Sequence, residues 1–538
     1  MGRHLTEDAQ TALRYGTHQV RLRAQSGFGN PYLDLDLAVV FTRPDSSDVR
    51  VDGFYDGGDD FVARAYCDTV GTWRWRSESS RPELSGKTGS FRVVPSRLKG
   101  KLTLHPDDPT QFARADGSWF LHIGDTGYRY VVDDELKWKE YLEQAVAAGF
   151  TKIRTWFSRA RCDCQALFQH DGKYGRVRLN LPYWREIDRR LVYALDHHPD
   201  VIFQLIPFGE DGDEIRRYGD GDELSRYMVR YAQARFSAFA NIHWCISNDH
   251  KIIDDNAPED DSHEGNPRAR WGHIDAIARD MAGREPWGTL LTSHQMRFSG
   301  YSFLECDWSD IVTIEDLGQV TGHVVLKYRS QAKKPVVLDE DRYECWRPPQ
   351  HDRFFFRRLM WATLLSGGHP TYGGLMTFEG YDGETKGIRG YYDACEMGLL
   401  ENGAHDFRYI HRFFSDTGLS CVGMESADEI AEGPPLLYKA MRDETETTFI
   451  VYLANPDSWE GHAPDGFGGV HTDEAADVSS STPSVALTIP DGEYSAAWYC
   501  PSSGEWRGLD AVTVAEQRVE LTAPDTGDWT LLLRRCSK

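Results

Sequence analysis

No stretch of the 538 residues stays apolar for the roughly 20 positions that a membrane-crossing helix needs, so the chain is expected to stay out of the bilayer. Basic residues are in short supply: 60 Lys and Arg stand against 84 Asp and Glu, a formal charge of −24 at pH 7. Affinity for nucleic acid comes mainly from Lys and Arg on phosphates, so this balance argues against such a partner and suits a neutral one. The ten Cys are scattered, and the only close pair, Cys162 and Cys164, has no second cluster, which argues against structural zinc or a disulfide framework. No metal and no cofactor is expected. The chain has no Asn-x-Ser/Thr sequon, and its opening residues MGRHLTEDAQTALRYG lack a basic region followed by an apolar stretch; both absences point to a cytoplasmic protein. Met1, Gly2 and Thr6 formally fit a myristoylation pattern, but no polybasic patch or second anchor accompanies them. Composition leaves open whether the chain forms a homo-oligomer.

Hydrophobic residues make up 40% of the chain, with 16 Trp among them, and the length calls for several packed domains. Three segments differ in pattern. Residues 1–98 read as short alternating strands (HQVRLRA, LDLAVVFTR, DFVARAYC) broken by turn residues, an all-β domain. Trp73 and Trp75 recur along one strand, so at least one is expected in the core. Residues 99–418 change to apolar runs of five to eight residues separated by amphipathic stretches, the alternation of a parallel sheet wrapped by helices. Eight runs can be counted: 119–126, 150–157, 201–208, 242–249, 290–295, 311–316, 335–340 and 369–374. Eight strand-and-helix units predict closure into a (β/α)8 TIM barrel. Residues 419–538 return to short strands (TTFIVYLANP, SVALTIP, EYSAAWYC, DWTLLLRR), read as a second β-sandwich, with a polar stretch over 456–483 expected to be a mobile loop.

Most of the eight runs begin apolar and end in residues that can do chemistry: Asp125, Arg154, Trp156, Asn248, Asp249, His294, Glu315, Asp316 and Glu340. In a barrel the carboxyl ends of the strands form the active face. Cleaving a glycosidic bond takes one carboxyl group to protonate the leaving oxygen and a second to attack or to activate water. Asp249, in WCISND (244–249), and Glu340, in KPVVLDEDRYE (334–344), end different strands and can meet that need.

These residues, read together, resemble a clan A glycoside hydrolase of the apiosidase-like group. FARADGSWFLHIGDT (112–126) resembles that family's first strand, RYAQARFSAFANIHW (230–244) its approach to strand four, and SGGHPTYGG (366–374) its eighth strand. Tyr343 and Glu344 follow Glu340 at the family spacing, while VDGFYDGG (51–58) and GTWRW (71–75) resemble the immunoglobulin-like domain that precedes many barrel glycosidases. The resemblance implies a retaining glycosidase with Glu340 as nucleophile and Asp249 as acid/base, and furanosides or pentosides as substrates; the lack of an export signal points to short imported glycosides or oligosaccharides. Asp249 departs from the commonest clan pattern, which has Glu there, but matches apiosidase-like members. The implied mechanism needs the two carboxyls about 5 to 5.5 Å apart. The implied sugar-binding set is Asp125, Arg154, Trp156, Trp244, Asn248, His294, Glu315, Tyr343 and Trp346.

Alternatives accompany several of these. Asp125 and Thr126 are also fit to cap a helix. His294 is suited to binding substrate, to orienting Glu340 or to a structural role; Arg154 to fixing a carboxylate or pairing with Glu340. Glu315 and Asp316 compete for catalytic duty, whereas strand alternation points Asp339 and Asp341 away from Glu340. The tryptophans suit a pocket floor or a core. At the level of function, a non-catalytic carbohydrate-binding barrel and an inverting or lyase-type enzyme are the competing readings.

Overall fold

The computed structural model describes all residues except 1–2, 8–9, 26–28, 35, 132–134, 157–177, 209–212, 258–267, 297–299, 316–320, 342, 345–352, 374, 376–387, 434–437, 456–461, 465–469, 473–480 and 537–538. Its central feature is an eight-stranded parallel sheet of β1 (Gly124–Asp125), β2 (Lys152–Trp156), β3 (Ile202–Ile206), β4 (Ile242–Cys245), β5 (Leu291–Thr292), β6 (Val312–Glu315), β7 (Val336–Glu340) and β8 (His369–Tyr372). The hydrogen-bonded order is β5-β4-β3-β2-β1-β8-β7-β6. The first strand therefore pairs with the last, Gly124 opposite Thr371 and Asp125 opposite Tyr372, which is the pairing that turns a sheet into a (β/α)8 barrel. Every residue of these strands is buried, as expected when both faces of a parallel sheet are covered. Only the end of the first apolar run is strand; before it, Phe112 and Phe120 pack around His122.

Nine helices are described: α1 (Glu135–Ala148), α2 (Leu181–His197), α3 (Asp213–Gly219), α4 (Glu223–Phe236), α5 (Trp271–Arg284), α6 (His323–Arg329), α7 (Arg353–Leu365), α8 (Ile388–Glu396) and α9 (Phe407–Thr417). Local chemistry sets their ends. Pro182 stands in the first turn of α2, where its missing N–H costs nothing, and the Asp222 carboxylate accepts from Ser225 N–H to cap α4. Gly418, in the left-handed region at φ 65°, closes α9. No helix among the described residues is long and apolar enough to cross a membrane.

The chain divides into two compact units. The first comprises Met1–Thr103, Ala113–Ser118 and Thr155–Asp310. Its amino-terminal part has a four-stranded and a five-stranded sheet, and His18 of one stacks on Phe91 of the other at 3.8 Å. Trp73 is buried in this core against Phe91, as strand periodicity requires of at least one of the two tryptophans. Trp75, on the same face, is half-buried and lies over Gly89, where a Cβ would stand 2.6 Å from the indole. Arg64 of this β-domain makes a bidentate pair with Asp188 of α2 (2.8 Å for each bond), and Arg235 of α4 joins the same carboxylate at 2.5 Å.

The second unit comprises Leu104–Phe112, Trp119–Arg154 and Ile311–Lys538. Its carboxy-terminal part has a seven-stranded and a three-stranded antiparallel sheet, with Phe449, Trp498, Trp529, Leu531 and Leu487 in one core. The 456–483 stretch expected as a loop lies mainly outside the described residues; within it His462–Pro464 and Val470–Thr472 pair as a short antiparallel ladder.

Candidate active site

In the second unit the site is built around Glu340, the last residue of β7. β6 and β7 run in register from Val312 opposite Val336 to Ile314 opposite Leu338, then shift so that Glu315 faces Glu340 and Asp339 is skipped. This bulge breaks the alternation that sequence periodicity assumes. Two donors converge on Glu340 Oε2: Arg154 Nη1 at 2.5 Å and the Tyr128 hydroxyl at 3.0 Å. Tyr343 contributes a third hydrogen bond to the carboxylate, and burial followed by the Glu340 charge raises its phenol well above the ordinary range. Arg154 is wholly buried; burial opposes its charge, but Tyr128, Glu340 and Asp339 outweigh it and hold the guanidinium well above its ordinary value. Its guanidinium also lies 5.2 Å from the centre of the Tyr128 ring. The Tyr343 ring sits flat over Gly373, where a Cβ would stand 3.1 Å from it, and that contact explains one glycine of the eighth-strand motif.

Asp125 ends β1 with no solvent exposure. Its neighbour Gly124 faces Thr371 and Lys152, and Asp125 turns the other way, accepting a 2.5 Å hydrogen bond from Tyr141 of α1. Burial pushes its carboxyl from 3.8 up to about 7, against the lowering effect of the Tyr141 hydroxyl. Gly127 makes this contact feasible, because a Cβ there would lie 2.2 Å from the Tyr141 oxygen. Thr126, one residue on, hydrogen-bonds Tyr343. Glu344 is buried and accepts from Tyr391 (2.8 Å), Gly403 N–H (3.0 Å), Glu401 N–H (2.8 Å) and the Tyr372 hydroxyl. It anchors the segment that carries Tyr343.

In the first unit, Asn248 and Asp249 lie three and four residues beyond the end of β4 at Cys245. Asn248 is buried, and Asp249 is half-buried with φ 58°, the left-handed region that an ordinary residue enters at a cost of about 1–2 kcal/mol. The segment after β5 holds this turn in place. Asp249 N–H donates to His294 Nδ1 at 3.1 Å, so a neutral His294 carries its proton on Nε2. Ser247 Oγ meets Ser293 Oγ at 2.9 Å and the His294 carbonyl at 3.1 Å, and His250 bridges to Gln295. Among the described residues, buried Asp249 Oδ1 accepts no hydrogen bond. Burial keeps His250 neutral, its pKa down to about 4. Trp156 and Trp244 are both buried within the sheet strands β2 and β4. Trp346 and Asp316 lie outside the described residues.

Three residues of the Glu340 and Asp125 surroundings were not legible as site residues in the sequence: Tyr128, Tyr141 and Lys152. Tyr128 follows a Gly-Asp-Thr-Gly run that offered the one available signal, a tyrosine directly after a strand end at the active face. Lys152 and Asp339 form a wholly buried ion pair with no counterpart in local spacing.

Residues 107–420 match the family model described as Apiosidase-like, catalytic domain, and residues 11–80 match Domain of unknown function (DUF5060). No match was found among curated proteins. Of solved structures, the chain is similar to a Bacteroides vulgatus ATCC 8482 protein provisionally described as a glycoside hydrolase (TM-score 0.71, 16% identity, 98% of this chain and 100% of that one). It is also similar to a glycoside hydrolase family 5 protein from the same organism (TM-score 0.58, 16% identity, 82% and 95% covered). These likenesses concern the fold. The family match spans more than half of the sequence and carries a catalytic domain, and by it the chain belongs to the apiosidase-like family of glycosidases.

Proposed function

We propose that the protein is a retaining glycosidase in which Glu340 is the nucleophile and Asp249 the acid/base. One observation carries this reading: a strand-end carboxylate, Glu340, whose Oε2 receives Arg154 and Tyr128 at 2.5 and 3.0 Å. Such donors fix the direction in which the carboxylate faces a substrate, and orientation is a large part of what an enzyme contributes to a displacement. In the first step Glu340 bonds to the anomeric carbon as the bond to the leaving oxygen breaks, and Asp249 passes its proton to that oxygen. In the second, Asp249 takes a proton from water, whose oxygen displaces Glu340. The left-handed backbone of Asp249 and the lack, among the described residues, of a donor to its Oδ1 support a functional role, since strain held by neighbouring structure concentrates at working sites. Family membership makes pentosides and furanosides the first class of substrate to examine.

The test is a panel of aryl pentosides and hexosides with wild type, Asp249→Asn and Glu340→Gln. Loss of turnover in both variants, together with a first-formed product of retained anomeric configuration by NMR, is the expected outcome. Full activity in either variant removes that residue. A second reading draws on the register that sets Glu315 opposite Glu340 on the adjacent strand. Neighbouring strands lie about 4.8 Å apart, close enough for Glu315 to serve as the partner acid. An active Asp249→Asn beside an inactive Glu315→Gln would favour it.

A further inference from the structure

The carboxylate next to Glu340 in the chain is as deeply buried as any group in the protein. Asp339 has no solvent exposure and is the residue skipped by the register of β6 and β7. Its Oδ1 accepts from Lys152 Nζ and from Thr371 Oγ1, the latter at 3.2 Å. Its Oδ2 lies 3.7 Å from Arg154 Nε, and its carbonyl accepts from Arg154 Nη1 at 3.3 Å. That nitrogen is the one that reaches Glu340 Oε2 at 2.5 Å. Lys152 and Arg154 sit two residues apart on β2 and so share a face. Among the described residues, Lys152 and Arg154 both touch Asp339, and Arg154 also reaches Glu340. The first strand leaves room for them: a Cβ on Gly124 would stand 2.5 Å from Thr371 Oγ1 and 3.1 Å from Lys152 Cδ.

We propose that Asp339 is a positioning residue for the nucleophile, holding the Arg154 guanidinium from its Nε side and through its own carbonyl so that Nη1 is aimed at Glu340, with Lys152 balancing its charge. The inference rests on the reading of Glu340 as nucleophile. An arginine side chain is long and rotamer-rich, and a contact at its tip does not by itself fix the orientation of the fork. A second anion at the opposite edge restricts it further. Asp339 acts through Arg154.

The decisive variant is Lys152→Met with Asp339→Asn, which removes one buried charge of each sign and keeps the remaining pair balanced. Its unfolding midpoint is expected near that of wild type, and its crystal structure to show the contact between Arg154 and Glu340 lengthened or broken. On the aryl glycoside that wild type turns over best, kcat should fall about 100-fold, the scale of a misplacement near 1 Å, with KM little changed. An intact contact and an unchanged kcat in the folded double variant would overturn the proposal. Thr371→Val, which removes one hydrogen bond to Asp339 and no charge, decides the matter if the double variant does not fold: kcat reduced at constant KM supports the role, and wild-type kcat overturns it. A separate arm isolates the nucleophile. Glu340→Gly with added azide should release the aryl alcohol and form a glycosyl azide of inverted configuration. Full activity in Glu340→Gln without such rescue would end the nucleophile reading, while the crystallographic arm still reports whether Asp339 holds Arg154.

Discussion

Glu340 depends on neighbours that differ in kind. Arg154 supplies charge and Tyr128 supplies direction, each through one hydrogen bond to the same oxygen. Removing the hydroxyl alone separates these effects. Tyr128→Phe should lower kcat about 10-fold, the lower end of what a hydrogen bond to a charged group is worth, and leave the unfolding midpoint within error. Steady-state kinetics on the best aryl glycoside checks this, and an unchanged kcat would mean that Arg154 and Tyr343 suffice to orient the carboxylate. At this scale the sequence made Glu340, Arg154 and Tyr343 legible, because a strand-end position or a family spacing marks each. Tyr128 and Asp339 were hidden: the first sits in a short 3-10 turn, and the second is turned by a bulge that no alternation rule foresees.

Among the elements, the join between β1 and α1 has the clearest consequence. Asp125, read in the sequence as a sugar-binding or helix-capping residue, lies against Tyr141 of α1 with its carboxyl raised to about 7 by burial. In the unfolded chain the group returns to about 3.8, so between those values the folded state binds more protons than the unfolded one. The stability it contributes is full below pH 4 or so, declines as pH rises toward 7, and is absent above that. Asp125→Asn keeps an acceptor for Tyr141 and removes the titration. Its melting temperature, compared with wild type at each pH, should therefore rise across this window and level off above it. A difference that stays flat with pH would show that Asp125 titrates normally. The sequence could place Asp125 at a strand end, but a strand of two residues gives no periodicity from which to read the face it takes.

On the scale of the whole molecule, each unit ties its β-sheets to barrel helices through buried arginines. In the first, Arg64 and Arg235 share Asp188; in the second, Arg357 of α7 pairs with Asp528 of the carboxy-terminal sheet region at 2.8 and 2.7 Å, and Tyr452 donates to the same carboxylate at 2.9 Å. Breaking a buried pair strands a charge at a cost of about 3–5 kcal/mol. Arg357 retains Asp406 at 2.7 Å, so Asp528→Ala should fall at the lower end, about 3 kcal/mol, seen as a lower urea midpoint. An unchanged midpoint would mean that apolar packing alone secures the carboxy-terminal sheets to α7.

The sequence alone determined the order and type of the elements, because eight apolar runs between amphipathic stretches have one economical closure, and β-rich ends with turn residues have little choice but to pack as sheets. It also marked Asp125, Glu315 and Glu340 as strand-end carboxylates, since that depends only on where each run stops, whereas Asp249 lies four residues past the end of β4. Tertiary structure alone decided which of those side chains meet. The pairing of Asp339 with Lys152, the approach of Tyr128 to Glu340 and the burial of Asp125 all join residues from separate strands or from a strand and a helix. Such contacts follow from barrel closure and from one shift in register, and neither leaves a mark in the local spacing of residues.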